Sequence, residues 1–254
     1  MKMTRAVVPS LFTVLNMLCG FMSITASASH QLSMAAWLII LGAAFDSIDG
    51  LMARLTKSSS AFGVEFDSLS DVVSFGAAPS MLVYQFHLHT WGGIGVLIGA
   101  MPLVFGGIRL ARFNIQLVGF TKEYFSGLPI PTQAMTICAF ALTFSGGGTR
   151  LTGWHVDLLA PLVIILSLLM VTTLKYDTMP EFSQRGLREH PMRLSLFILA
   201  CVIIVASQGK AFFPIMLAIV ASGPLRWVVK YFRRLLHPSE KQKEEDAEIS
   251  RLDV

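Results

Sequence analysis

The sequence predicts an all-α, polytopic integral membrane protein, a helical bundle of about eight transmembrane helices with N- and C-termini both cytoplasmic. Three observations carry that expectation. The 254 residues are 54% hydrophobic and only 14% charged, with a mean hydropathy of +0.63, whereas a soluble domain carries about 25% charged residues. Eight apolar runs lie in or near the range of about 17–25 residues that a helix needs to cross the hydrocarbon core. With the N-terminus in the cytoplasm, those eight spans put all of the 20 lysines and arginines except Arg150 and Lys210 on the cytoplasmic side. Such asymmetry orients membrane proteins, and dropping any one span scrambles it.

The runs fall at about 9–28, 32–55, 64–86, 91–113, 131–147, 155–174, 192–208 and 211–232. The first has no cleavage-site pattern and is followed by further apolar runs, so it reads as a retained span. The second and third contain acids, and the short polar linker Thr56–Phe62 joins them as a hairpin at the cytoplasmic side. The fifth and seventh are short. Pro79, Pro102, Pro161 and Pro214 lie inside runs, where membrane helices tolerate proline better than soluble ones do. Residues 1–235 thus form one transmembrane domain. The remainder, 236–254, is a charged cytoplasmic tail with no apolar period. The preceding RWVVKYFRRLL either lies on anionic headgroups or simply ends the last span.

Composition also excludes. A net charge of +4 without a basic stripe among exposed aromatics gives no footing for nucleic acid. Cys19, Cys138 and Cys201 each sit in an apolar run without CxxC spacing, which argues against a disulfide framework or a zinc site. They read as small buried hydrophobes.

What apolar composition does not explain is the stretch 46–71, DSIDGLMARLTKSSSAFGVEFDSLSD. An ionised carboxylate at the centre of a spanning helix costs about 2.5–3.5 kcal/mol. Asp46 and Asp49 are three apart on one helix, and Asp67 and Asp71 four apart on the next, so each pair shares a face. Across the hairpin these faces meet at one depth, toward the cytosol. Carboxylate-only ligation suits hard cations such as Mg²⁺ or Mn²⁺. A cluster of this size can hold two of them, as phosphoryl-transfer sites do. Gly50, Ala53 and Gly63 leave backbone open to a ligand or to a packed helix. An ion-coupled transporter is the other class that keeps carboxylates in the membrane. Against it, the acids form a single site on one side, with no paired broken helices.

Asp46-x2-Asp49-Gly50-x2-Ala53-Arg54-x8-Gly63-x3-Asp67-x3-Asp71 resembles the signature of the CDP-alcohol phosphotransferase family at every spacing. Within that family, four further segments are similar to the membrane-type phosphatidylserine synthases. They are VPSLFTVLNMLCGF (Val8–Phe21), DVVSFGAAPS (Asp71–Ser80), GGIRLARFN (Gly106–Asn114) and YFSGLPIPT (Tyr124–Thr132). The resemblance is close over roughly residues 5–135, and it implies transfer of a phosphatidyl group from CDP-diacylglycerol to the hydroxyl of L-serine, with release of CMP. It further implies that Asp46, Asp49, Asp67 and Asp71 hold Mg²⁺ or Mn²⁺, two ions in all, and that Asp71 is the general base. Gly50, Ala53, Arg54 and Gly63 become nucleotide- and phosphate-binding positions, although Arg54 is equally placed as a positive-inside anchor. Arg109, Arg112 and Asn16 are candidates for the serine carboxylate or the lipid phosphate. For the arginines the competing reading is an ordinary cytoplasmic helix end. For Asn16 it is a hydrogen bond to a neighbouring helix. The family signature does not choose among serine, glycerol 3-phosphate, inositol or its phosphate, and choline. A homodimer in the cytoplasmic membrane, with its site facing the cytoplasm, completes the expectation.

Overall fold

The computed structural model describes residues 3–56, 61–118, 127–145, 155–174, 176, 199–200, 202–204, 206–207 and 209–236. Among them no strand occurs. The elements are α1 (Met3–Ala28), α2 (Leu32–Thr56), α3 (Ala61–Asp71), a π-helical turn (Val72–Ala77), α4 (Ala78–Phe86), a 3-10 turn (Leu88–Trp91), α5 (Gly92–Val118), α6 (Ile130–Phe144), α7 (His155–Val171) and α8 (Phe212–Leu236). Among the described residues, four helical stretches are long and apolar enough to cross a membrane: Leu11–Ala28, Leu32–Met52, Leu88–Ile115 and Phe212–Arg233. α6 and α7 are apolar but only 15 and 17 residues long. The expected seventh run, 192–208, and the tail from residue 237 lie largely or wholly outside the described residues.

The helices are amphipathic in the inverted sense that lipid requires. On α1, Thr13, Asn16, Ser23 and Ser27 are buried, while Leu11, Val14, Leu18 and Phe21 are exposed. Lipid is as apolar as leucine, so burying apolar surface does not draw helices together there. Close packing of small residues and hydrogen bonds does. α5 follows the same rule, with Ile94, Leu97, Val104, Ile108 and Ile115 facing outward.

α6 is the helix buried nearly all round, from Ile130 to Ala141. It touches α2, α4, α5, α7, α8 and the π-helical turn. At its far end Phe140, Phe144 and Phe213 of α8 form an aromatic trio with ring centroids 4.9–5.4 Å apart. Its start is fixed by the motif GLPIP. Gly127 has φ +84°, a left-handed conformation that a side chain strains. A Cβ there would overlap the Met170 carbonyl oxygen at the end of α7. From this wedge, the Gly127 N–H donates to the Leu174 carbonyl at 2.9 Å and the Leu128 N–H to the Leu169 carbonyl at 3.0 Å. The second bond satisfies a last-turn carbonyl that a helix end leaves open, and the first ties Gly127 to the segment just past that end. Pro131 then sits within the first turn of α6, where no helical N–H is missed.

The expected third span proves to be one rod, 61–86, with the π-helical turn in its middle. That turn is gripped from two sides. A Cβ on Gly20 of α1 would stand 2.7 Å from the Ser74 Cα, and one on Gly76 would stand 3.4 Å from the Leu103 Cα of α5. π-helical turns inside α-helices are frequent at functional sites, and this one begins immediately after Asp71.

Candidate active site

Asp46, Asp67 and Asp71 each offer a carboxylate oxygen, and these oxygens lie within 4.8 Å of one another. The first comes from α2 and the other two from α3. The hairpin expectation has the two acidic faces meeting by direct packing of these helices. Among the described residues, however, α2 and α3 share little contact, and α1 packs on both. The acids therefore converge around α1.

Asp49 stands slightly apart. Its Oδ2 accepts a 2.6 Å hydrogen bond from the Thr13 hydroxyl of α1. Its Oδ1 is buried without a partner. Asp71 is met by the Asn16 amide, whose Nδ2 donates to Oδ1 at 3.4 Å. Arg109 of α5 acts on Asp71 as an opposite charge. α1 is tied in turn to the acidic rod. The Ser70 hydroxyl donates to the Thr13 carbonyl at 3.0 Å, and the Ser74 hydroxyl to the Asn16 carbonyl at 2.8 Å.

The remaining predicted residues are spread around this centre. Gly50 is exposed on α2 and Gly63 half-buried on α3. Ala53 and Arg54 lie in the closing turns of α2, with side chains outside the described residues. Arg112 turns away from the acids, donating from Nη1 to the Val171 carbonyl at 3.0 Å. It thereby closes the same α7 end that the GLPIP loop caps. Asn114, the last residue of GGIRLARFN, donates to Ser68 Oγ at 3.1 Å and to Glu65 Oε2 at 3.3 Å, linking α5 to α3.

Sequence reasoning missed Thr13, Ser70, Ser74 and Asn114. A signal for the first three was present. Residues 13, 16, 20, 23 and 27 form a polar or small stripe at helical spacing in an apolar span. Residues 67, 70, 71 and 74 fall on one helical face, so the serines are in phase with the acids.

The donor set fits a hard divalent cation. Three carboxylates converge, and all possible ligands are oxygen. Three polar atoms next to them, Asp49 Oδ1, Asn16 Oδ1 and Arg109 Nε, are buried without a hydrogen-bond partner among the described residues. Buried polar atoms are normally paired, so a cluster of unpaired ones calls for an explanation. A cation against the oxygens and an anionic ligand against the guanidinium would supply it.

Fold and site together define a membrane-embedded helical protein with an oxygen-ligand centre suited to binding phosphate through cations. The CDP-alcohol phosphatidyltransferase family model matches residues 6–174, a stretch running from α1 past the end of α7. The chain belongs to that family. It is 35% identical over 228 residues to a Helicobacter pylori protein named CDP-diacylglycerol–serine O-phosphatidyltransferase, with 87% of this chain and 90% of the relative aligned. A Bacillus subtilis protein of the same name is 35% identical over 179 residues, covering 70% of this chain and 93% of its own length. An archaetidylserine synthase of Methanothermobacter thermautotrophicus is 39% identical over 171 residues, covering 66% and 68%.

Proposed function

We propose that this protein transfers the phosphatidyl group of CDP-diacylglycerol to the hydroxyl of L-serine, giving phosphatidylserine and CMP. The observation that carries the reading is the convergence of Asp46, Asp67 and Asp71 around α1, with Asn16 and Arg109 beside Asp71. The names of the relatives supply the acceptor.

Asp46, Asp49, Asp67 and Asp71 are the groups to hold two divalent ions, Mg²⁺ or Mn²⁺. Bound ions would neutralise the diphosphate of the donor lipid and stabilise charge on the departing CMP. The chain's own residues do the rest. Asp71 takes the proton from the serine hydroxyl, because an alcohol is a poor nucleophile until a base removes it. The freed oxygen bonds to the phosphorus that carries diacylglycerol. The bond from that phosphorus to the oxygen shared with CMP breaks, and CMP leaves with the electron pair. Positioning and charge stabilisation account for most of the catalysis in such transfers. Asn16 orients Asp71, and Arg109 is the group for the serine carboxylate or the lipid phosphate, since a guanidinium matches paired oxygens. Arg112, joined to α7, holds the end of α5 that presents Arg109. Gly50, Ala53, Arg54 and Gly63 border the cytidine and phosphate side.

Around this centre we read eight spans in residues 1–235, a cytoplasmic tail at 236–254, both termini and the site on the cytoplasmic face of the cell membrane, and a homodimer. The test is acceptor choice. Membranes carrying the protein are incubated with CDP-diacylglycerol, Mn²⁺ and labelled serine, glycerol 3-phosphate, inositol, inositol phosphate or choline in turn. Serine is expected to give labelled lipid and an equal amount of CMP. Labelled lipid from glycerol 3-phosphate with none from serine would overturn the reading.

A further inference from the structure

Hydroxyls in these helices usually bond back into their own helix. Ser47 donates to the Ala43 carbonyl at 2.8 Å, Thr136 to the Thr132 carbonyl at 2.7 Å, and Ser222 to the Ile219 carbonyl at 2.7 Å. That local bond is always available to a serine or threonine in a helix. Ser70 and Ser74 do otherwise. Both are fully buried, and both reach across to main-chain carbonyls of α1, 57 and 58 residues earlier in the chain.

The carbonyls they choose belong to Thr13 and Asn16, the two α1 residues whose side chains hold acids. Thr13 is gripped at its carbonyl by Ser70 and grips Asp49 with its hydroxyl. Asn16 is gripped at its carbonyl by Ser74 and grips Asp71 with its amide. The result is two parallel rungs, one helical turn apart: Ser70–Thr13–Asp49 and Ser74–Asn16–Asp71. The second rung returns to the rod it started from, since Asp71 and Ser74 flank the beginning of the π-helical turn. The close approach of Gly20 to Ser74 leaves α1 no room to slide there.

We propose that Ser70 and Ser74 are positioning residues for the acidic centre, each acting through a different α1 residue on a different carboxylate. Ser70 sets Asp49 and with it the cation site. Ser74 sets Asp71 and with it proton removal. Outer-shell hydrogen bonds of this kind matter through geometry, and losing one typically costs about 10–100-fold in metal affinity or activity. The inference rests on the roles proposed above for Asp49 and Asp71.

Two measurements on purified Ser70→Ala and Ser74→Ala proteins test it: equilibrium Mn²⁺ binding, and kcat with saturating Mn²⁺. Ser70→Ala is expected to weaken Mn²⁺ binding about tenfold, and Ser70→Thr, which keeps the hydroxyl, to restore most of it. Ser74→Ala is expected to lower kcat at saturating Mn²⁺ about tenfold, with the KM for CDP-diacylglycerol within about twofold of the parent. Because Asp71 is also among the cation-holding groups, Mn²⁺ binding weakens too, but by less than kcat falls. In a cycle with Asn16→Ala, Ser74→Ala should add little further loss, while Ser70→Ala should multiply it. If both serine variants lower only thermal stability, or if each disturbs binding and kcat alike, the two-rung assignment is wrong. Mn²⁺ binding needs no acceptor, and kcat is read with whichever alcohol reacts. A wrong acceptor is thereby told apart from a wrong inference.

Discussion

The part of the bundle built from α1, α3 and the π-helical turn is held together differently from the part built from α6, α7 and α8. In the first, hydroxyl and amide groups cross between helices at Thr13, Asn16, Ser70 and Ser74. In the second, the contacts between helices are rings and aliphatic chains, as in the trio Phe140, Phe144 and Phe213. Thr136 and Ser222 bond within their own helices, and Ser167 and Gln133 have no partner among the described residues. The polar ties to these helices come from outside them, from Tyr176 to the Val220 carbonyl and from Arg112 to the Val171 carbonyl. Apolar packing fills space and tolerates small shifts. A directional bond fixes one helix against another at a defined height, and that is what a cluster of like charges needs if its oxygens are to converge.

Four substitutions press on this contrast, from the largest expected effect to the smallest. Asp71→Asn keeps the shape of the side chain and removes the carboxylate proposed as the base. CMP release should fall by about 10²–10⁴-fold while binding of CDP-diacylglycerol is largely spared; near-normal turnover would refute the base assignment. Phe140→Ala hollows the apolar part and should cost roughly 3 kcal/mol or more of stability in a detergent unfolding series. The protein that remains folded should turn over normally, and a parallel drop in its kcat would erase the distinction between the two regions. Gly20→Ala forces a Cβ against the Ser74 backbone and should cost about 1–3 kcal/mol as overpacking does. Unlike Phe140→Ala it should also lower kcat, because the strain falls on the rung that carries Asp71. Ser167→Ala removes a fully buried, unpartnered hydroxyl. Melting should then change by no more than about 0.5 kcal/mol in either direction, and a large loss would reveal a polar tie in the apolar part.

The acids were legible in the sequence because their meaning lies in spacing. Intervals of three and four residues put carboxylates on one helical face whatever the rest of the fold does. Helical class was legible from the apolar runs in the same way. The centre of the arrangement was harder to see. Asn16 has two readings in the sequence, a ligand contact or a hydrogen bond to a neighbouring helix, and the structure shows the second, with its amide on Asp71 and its carbonyl under Ser74. Arg112 and Arg109 look alike in GGIRLARFN, yet one donates to the end of α7 and the other sets its charge toward Asp71. Which way each points depends on how α5 is rotated against its neighbours, and no local pattern encodes that. The π-helical turn was invisible for a related reason. DVVSFGAAPS reads as an ordinary apolar helix, and the extra residue per turn coincides with the close approaches of Gly20 from one side and Leu103 from the other.

The long separation between the rungs' two ends bears on how the protein is made. α1 emerges from the ribosome first, with Thr13 and Asn16 already on one face, while Ser70 and Ser74 are still to be synthesised. A threonine can meanwhile turn its hydroxyl onto its own helix, but an asparagine amide facing hydrocarbon has little to bond to. The first helix thus carries a polar group that the bilayer alone does not satisfy. It becomes a settled span only when the acidic rod docks beside it. At this point of the molecule, seating the first helix and bringing the acidic cluster together are coupled through the same hydrogen bonds.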